Sequence, residues 1–241
     1  MRLKLTAAVV LGLGMMAVVQ AQPGGRGFFG GPAGLVTNKA VQEELKLTED
    51  QVSKVNEWAK GFREKANEIR KDKGVEFKKG GFGKGGEISA EMQEKMAAAN
   101  AEINKVAYKD LGDVLKKDQI ERLKQIDHQV MGVNAFTDPT VAESLKLTDS
   151  QKTSIKGISS EFQKESRELR QEAFGKGGKG GGFDPEKFGD FQKKSQKLQK
   201  EFVAKAIDVL DADQKKTWKS LIGEPFDTSK LMQGFGNRKK D

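Results

Sequence analysis

Cysteine is absent from this chain and histidine occurs once, as His128. Without thiols no disulfide can hold the fold, so packing alone must do it, and no thiolate is available as nucleophile or soft-metal ligand. One imidazole completes no Ser-His-Asp constellation, and no nucleophile-elbow pattern is present. His128 falls near the end of an apolar periodic segment, where a cation suits the helix dipole. A zinc or copper site would have to rest on methionine and carboxylates; Met92 and Met96 stand one helical turn apart, fewer thioethers than a copper site collects. Neither catalytic residues, nor a cofactor, nor a metal site is therefore expected. Tryptophan occurs twice and tyrosine once, and no long β-branched run alternates with period two. That composition, rich in Lys, Glu, Gln and Ala, argues for long amphipathic helices and against a β-sandwich or α/β core. The balance of 43 Lys and Arg against 35 Asp and Glu gives a formal charge of +8. The signs are interspersed, which reads as a solvated surface, and a nucleic-acid partner is not expected.

The one long uncharged apolar run, from Leu5 to Val19, follows Arg2 and Lys4 and precedes Val19-Gln20-Ala21. Residues 1–21 accordingly read as a cleavable export signal, too short for a comfortable membrane span, and no second candidate span follows. The absence of cysteine after that point excludes a lipoprotein anchor. The expectation is a periplasmic protein, with full secretion second. Residues 22–35, with Pro23-Gly24-Gly25 and Gly30-Gly31-Pro32, read as a flexible lead.

The stretch Leu45-Lys46-Leu47-Thr48-Glu49-Asp50-Gln51 returns as Leu145-Lys146-Leu147-Thr148-Asp149-Ser150-Gln151. A Thr N-cap with Gln three residues on is a capping box, each side chain serving the other's backbone N–H. Leu47 then occupies the position that staples onto Val52. A second pair of junctions, Leu115-Lys116-Lys117-Asp118-Gln119 and Leu210-Asp211-Ala212-Asp213-Gln214, repeats the theme. Asp211 keeps the capping chemistry. Lys116 does not, because an ammonium accepts no N–H bond and opposes the dipole.

Between the junctions run apolar stripes of helical period. Val52, Val55, Ala59, Phe62, Ala66 and Ile69 form the first, and its copy is narrower, with Lys152, Ser159 and Ser166 interrupting Ile155, Ile158, Phe162 and Leu169. Met92 and Met96 fall on the next stripe and read as core filler. Asn38 and the Asp138-Pro139 pair mark short helices ahead of each repeat. Each long helix ends in a glycine-lysine segment without a phosphate-cradling pattern, read as a flexible hairpin connector. Its flanking phenylalanines Phe77, Phe82, Phe174 and Phe183 are the candidate contacts for an unfolded or partner protein. Two units result, over residues 36–131 and 132–225, followed by a flexible basic tail over 226–241.

Leu47, Thr48 and Gln51, with Leu147, Thr148 and Gln151, resemble the LTxxQ motif of the Spy/CpxP periplasmic family. Leu115 with Gln119 and Leu210 with Gln214 match it without the threonine. The resemblance implies an all-α fold, here of two tandem four-helix units, and a cradle formed by a homodimer; because the tandem departs from a single-unit dimer, the expectation is that the two units pair within one chain as a pseudo-dimer. It implies a non-enzymatic, ATP-independent chaperone that binds unfolded clients. The alternatives it carries are an envelope-stress regulator or adaptor with one partner protein, and a metal-responsive relative.

Overall fold

The computed structural model describes residues 31–75, 89–175 and 185–232. Among these residues the chain is all-helical, as its composition predicts, with no strand. The order is α1 (Gly31–Val36), α2 (Lys39–Glu44), α3 (Glu49–Asp72), α4 (Ala90–Leu111), α5 (Lys117–Met131), a 3-10 connector (Gly132–Thr137), α6 (Pro139–Ser144), α7 (Asp149–Phe174), α8 (Pro185–Asp208), α9 (Ala212–Ile222) and a last 3-10 turn (Thr228–Met232). The short helices start where the sequence places their caps. Asn38 accepts from Ala40 N, and Asp138 accepts from Thr140 N and Val141 N ahead of Pro139.

Two principal cores form. In the N-terminal half, Leu35 and Val36 of α1, Val41 of α2, Val55 of α3, Leu111 of α4 and Leu123, Ile126 and Val130 of α5 pack together. Phe62 and Ala66 continue it along α3 against Ile103 and Ala107 of α4. In the C-terminal half, Val133, Ala135 and Phe136 of the connector join Val141, Ile155 and Phe162, with Phe202 and Ala206 of α8 and Trp218 of α9. The narrower stripe of α7 is real: only Ile155, Ser159 and Phe162 are buried on it, and Ser159 Oγ donates to Asn134 Oδ1 of the connector at 3.1 Å. Long helices pair within each half, α3 on α4 and α7 on α8, and α5 lies against α9 between the halves.

Three expectations are corrected. The flexible lead over 22–35 is helical from Gly31, and Leu35 is fully buried. Glycine and proline there mark a helix start, because Leu35 and Val36 supply apolar area that the core of the N-terminal half requires. The flexible tail over 226–241 is folded through Met232, with Phe226 and Leu231 buried in that same core. Met92 and Met96, read as core filler, are half-buried and belong to none of the three clusters. The export signal over 1–21, residues 22–30 of the lead, Phe77, Phe82, Phe183 and residues 233–241 lie outside the described residues.

Candidate functional site

The repeated stretch is a helix stop followed at once by a helix start. At its first half, Lys46 N donates to Glu43 O at 3.1 Å and Leu47 N to Gln42 O at 3.0 Å. Lys146 N and Leu147 N do the same to Glu143 O and Ala142 O at 2.9 and 3.0 Å. This is the Schellman pattern, which satisfies two carbonyls left over by a terminating helix and needs a left-handed residue. Here lysine fills that place, with φ of 50° at Lys46 and 51° at Lys146. The second half is the capping box. Thr48 Oγ1 accepts from Gln51 N at 3.3 Å while Gln51 Oε1 accepts from Thr48 N at 3.1 Å. Thr148 and Gln151 repeat both bonds at 3.2 and 3.0 Å.

The glutamines then reach beyond their own helix. Gln51 Nε2 donates to Gln119 Oε1 at 2.8 Å and to Val114 O at 3.0 Å. Gln119 Nε2 donates back to Gln51 Oε1 at 3.3 Å and to Leu45 O at 3.0 Å. In the other half Gln151 and Gln214 make the same reciprocal pair at 2.7 and 3.0 Å, with further bonds to Val209 O at 3.0 Å and Lys146 O at 3.4 Å. With the bond from the N-cap N–H of its own helix, each carboxamide uses both lone pairs and both protons. Glutamine is the residue that can do this: glutamate lacks the two donors, and asparagine is one methylene short. Leu115 and Leu210 sit buried beside these pairs, as do Leu45, Leu145 and Leu147, with Leu47 partly buried. The caps at Thr48, Thr148 and Asp211 stand where the sequence places them, while the clasp between glutamines was not read from it.

The second junctions differ. Asp211 Oδ1 accepts from Asp213 N and Gln214 N at 2.9 and 2.8 Å. Lys116 makes no side-chain cap bond, and only Gln119 Oε1, accepting from Lys116 N at 2.9 Å, remains of that box.

A second polar seam joins the halves. One face of α5 presents Arg122, Gln125, His128 and Gln129 to the carbonyl end of α9. Gln129 Nε2 donates to Ile222 O at 2.6 Å and Glu224 O at 2.8 Å, and its Oε1 accepts from Phe226 N at 2.8 Å. His128 Nδ1 lies 2.9 Å from Leu221 O, the geometry of an Nδ1–H donor. Arg122 donates to Glu224 O at 2.8 Å and pairs with Glu44 at 2.6 Å. The last carbonyls of a helix have no partner within it. Those of α9 find theirs on α5, and His128 serves this seam, where α5 caps a neighbour's terminus as well as ending its own. Gly223, with φ of 57°, stops α9 in a region closed to side chains, and a Cβ there would run into Gln125.

Deeper in the N-terminal half, Tyr108 Oη donates to Asp127 Oδ2 at 2.9 Å, and Asp127 is 2% exposed. Burial holds the phenol well above its ordinary value, and the charges of Asp127 and Asp138 push the same way. Of the candidate contact residues, Phe174 is described: it ends α7, is 43% exposed, and meets the buried Phe191 of α8 edge-on at 4.9 Å between centroids. It is the one large hydrophobic side chain exposed among the described residues. Also among those residues, no group of three or more His, Cys, Asp or Glu could hold a metal ion, and no helix is long and apolar enough to cross a membrane.

Comparison with protein-family models, with curated proteins and with solved structures finds no match to this chain.

Proposed function

We propose that the chain is an exported, non-enzymatic helical protein of the Spy/CpxP type that binds unfolded proteins without a nucleotide cycle, its two LTxxQ units paired within one chain as a pseudo-dimeric cradle. The observation that carries this reading is the recurrence of L-T-x-x-Q as a three-dimensional unit, a stop, a start and a glutamine clasp, once in each half. Support for the intramolecular pairing comes from a crossing and from the contact of α5 with α9. The segment after α9 packs into the core of the N-terminal half, where Phe226 and Leu231 are buried. Support for client contact is the exposed Phe174 at the far end of α7, beside a glycine-lysine segment.

The test is light scattering from a chemically denatured client diluted into buffer without ATP, with and without zinc. Suppression at near-stoichiometric ratio, unchanged by zinc, is the expected result. No suppression, together with capture of one defined protein, replaces the chaperone by the adaptor; suppression that requires zinc favours the metal-responsive relative. The solution mass should be that of one chain, and an obligate dimer would defeat the pseudo-dimer.

A further inference from the structure

The segment after α9 does more than follow it. Residues 224–232 leave the C-terminal half at Gly223 and cross to the N-terminal half, where Phe226 and Leu231 are buried beside Leu35, Val36, Val41 and Ile126. Four hydrogen bonds link the N-terminal half to the strap's backbone. Gln129 gives and takes, donating to Glu224 O and accepting from Phe226 N, both at 2.8 Å. Arg122 donates to Glu224 O at 2.8 Å, and at the far end Asn38 Nδ2 donates to Leu231 O at 3.1 Å. Backbone bonds that read no sequence, together with two apolar sockets that do, are the means by which proteins recognise short peptides. The strap carries its own bend: Asp227 Oδ1 accepts from Ser229 N at 3.1 Å and Ser229 Oγ at 2.6 Å, so little conformational freedom is lost on docking.

The geometry points to a peptide-binding slot on the N-terminal half, between α1, α2 and α5, which the chain's own strap occupies and which, when the strap swings out about Gly223, takes an apolar peptide with an aromatic and an aliphatic side chain five residues apart. The slot is built from the other half of the molecule, so the strap can leave without dismantling α9. Its hold is three buried side chains, Phe226, Thr228 and Leu231, and a few hydrogen bonds, a small element of the kind that opens locally at less than the cost of global unfolding. This inference rests on the client-binding reading and deepens it, by naming where a client segment enters.

Two measurements test it. In native-state hydrogen exchange on the intact chain, the Phe226 amide should exchange through local opening while the amides of Leu123 and Ile126 exchange only with global unfolding. Exchange of Phe226 in step with those helical amides would overturn the slot as a releasable site, and this arm needs no variant. For the second, a fluorescent synthetic peptide spanning residues 222–232 is titrated with the intact chain and with full-length Phe226→Ser/Leu231→Ser. Because the intact slot is free only in the strap-open fraction, the variant should bind at least about tenfold more tightly, saturating at one peptide per chain. The peptide carrying Phe226→Ala should lose that binding. A variant that keeps its helical circular dichroism yet binds no better than the intact chain overturns the inference. The outcomes separate this inference from the chaperone reading. Peptide binding with no protection of a denatured client leaves the slot standing and removes the chaperone; protection by both proteins with no peptide binding does the reverse.

Discussion

In the N-terminal half Gln51 and Gln119 are both buried, and the junction at Lys116 has no side-chain cap. In the C-terminal half Gln151 is half-exposed, and Asp211 supplies two cap bonds of its own. The same clasp therefore carries different loads. Where the cap is missing, Gln119 is the sole side chain meeting the first turn of α5, and it does so from inside the core. The cores differ too. The C-terminal half is closed by a segment in mid-chain, the connector, whose Phe136 ring stands 4.1 Å from that of Trp218. The N-terminal half is closed by α1 and by the strap that follows α9. A repeated motif sets the helix junctions alike in both halves and leaves the closure of each core to what flanks it.

Truncating the two closures should separate them most sharply. Phe136→Ala should cost about 4 kcal/mol, the range for a fully buried phenylalanine. Phe226→Ala should cost about 2 kcal/mol, because loss of the strap's docking caps what its truncation can remove. Chemical denaturation of both variants measures the gap, and equal costs would make strap and connector equivalent.

The clasps come next. Gln119→Glu keeps the shape, removes two donors and sets a carboxylate against Leu45 O and Gln51 Oε1, for a cost of about 3 kcal/mol at neutral pH. Gln151→Glu, at a half-exposed site, should cost about half as much, about 1.5 kcal/mol. Burial and facing acceptors raise the folded-state pKa of the new carboxyl above its unfolded value. The relative stability of Gln119→Glu is therefore greatest at low pH and is lost as pH rises through that raised value. Urea midpoints of variant and parent across the acid range check the sign. A penalty independent of pH would mean that the carboxamide protons are dispensable.

Much of this was legible in the chain. Apolar period, Asn38, Thr48, Asp138, Thr148 and Asp211 gave helix class and starts, because capping is a local matter settled within four residues. The clasp was not, because Gln51 and Gln119 are joined through the fold. A signal was present all the same: Gln119 persists where Lys116 has abolished the cap it would serve, so the glutamine has a second task. Composition misled at the termini. Glycine and proline near Gly31 and Pro225 resemble linkers, and only the tertiary structure brings Leu35 and Leu231 together in one core.

The uncapped junction offers the next test. Lys116→Asp would give α5 the acceptor and the charge that Asp211 gives α9, for a gain of about 1 kcal/mol. Asp211→Lys should lose a similar amount, about 1 kcal/mol. If instead Lys116→Asp is neutral, Gln119 alone already satisfies the first turn of α5.

The smallest effect concerns the lysine inside the motif. Lys46 and Lys146 hold left-handed backbone, which costs an L-residue about 1–2 kcal/mol relative to glycine. Glycine gives back about 0.5–1 kcal/mol through the greater freedom of its unfolded chain. Lys46→Gly and Lys146→Gly should each stabilise by about 0.5 kcal/mol, seen as a small rise in melting temperature. Both lysines are exposed, at the turn between two helix ends. Equal gains would show that the stop operates alike in both halves. An unequal pair would mean that the difference between the halves reaches even this turn, through Leu45 O, which Gln119 holds at 3.0 Å, against Lys146 O, which Gln214 reaches at 3.4 Å.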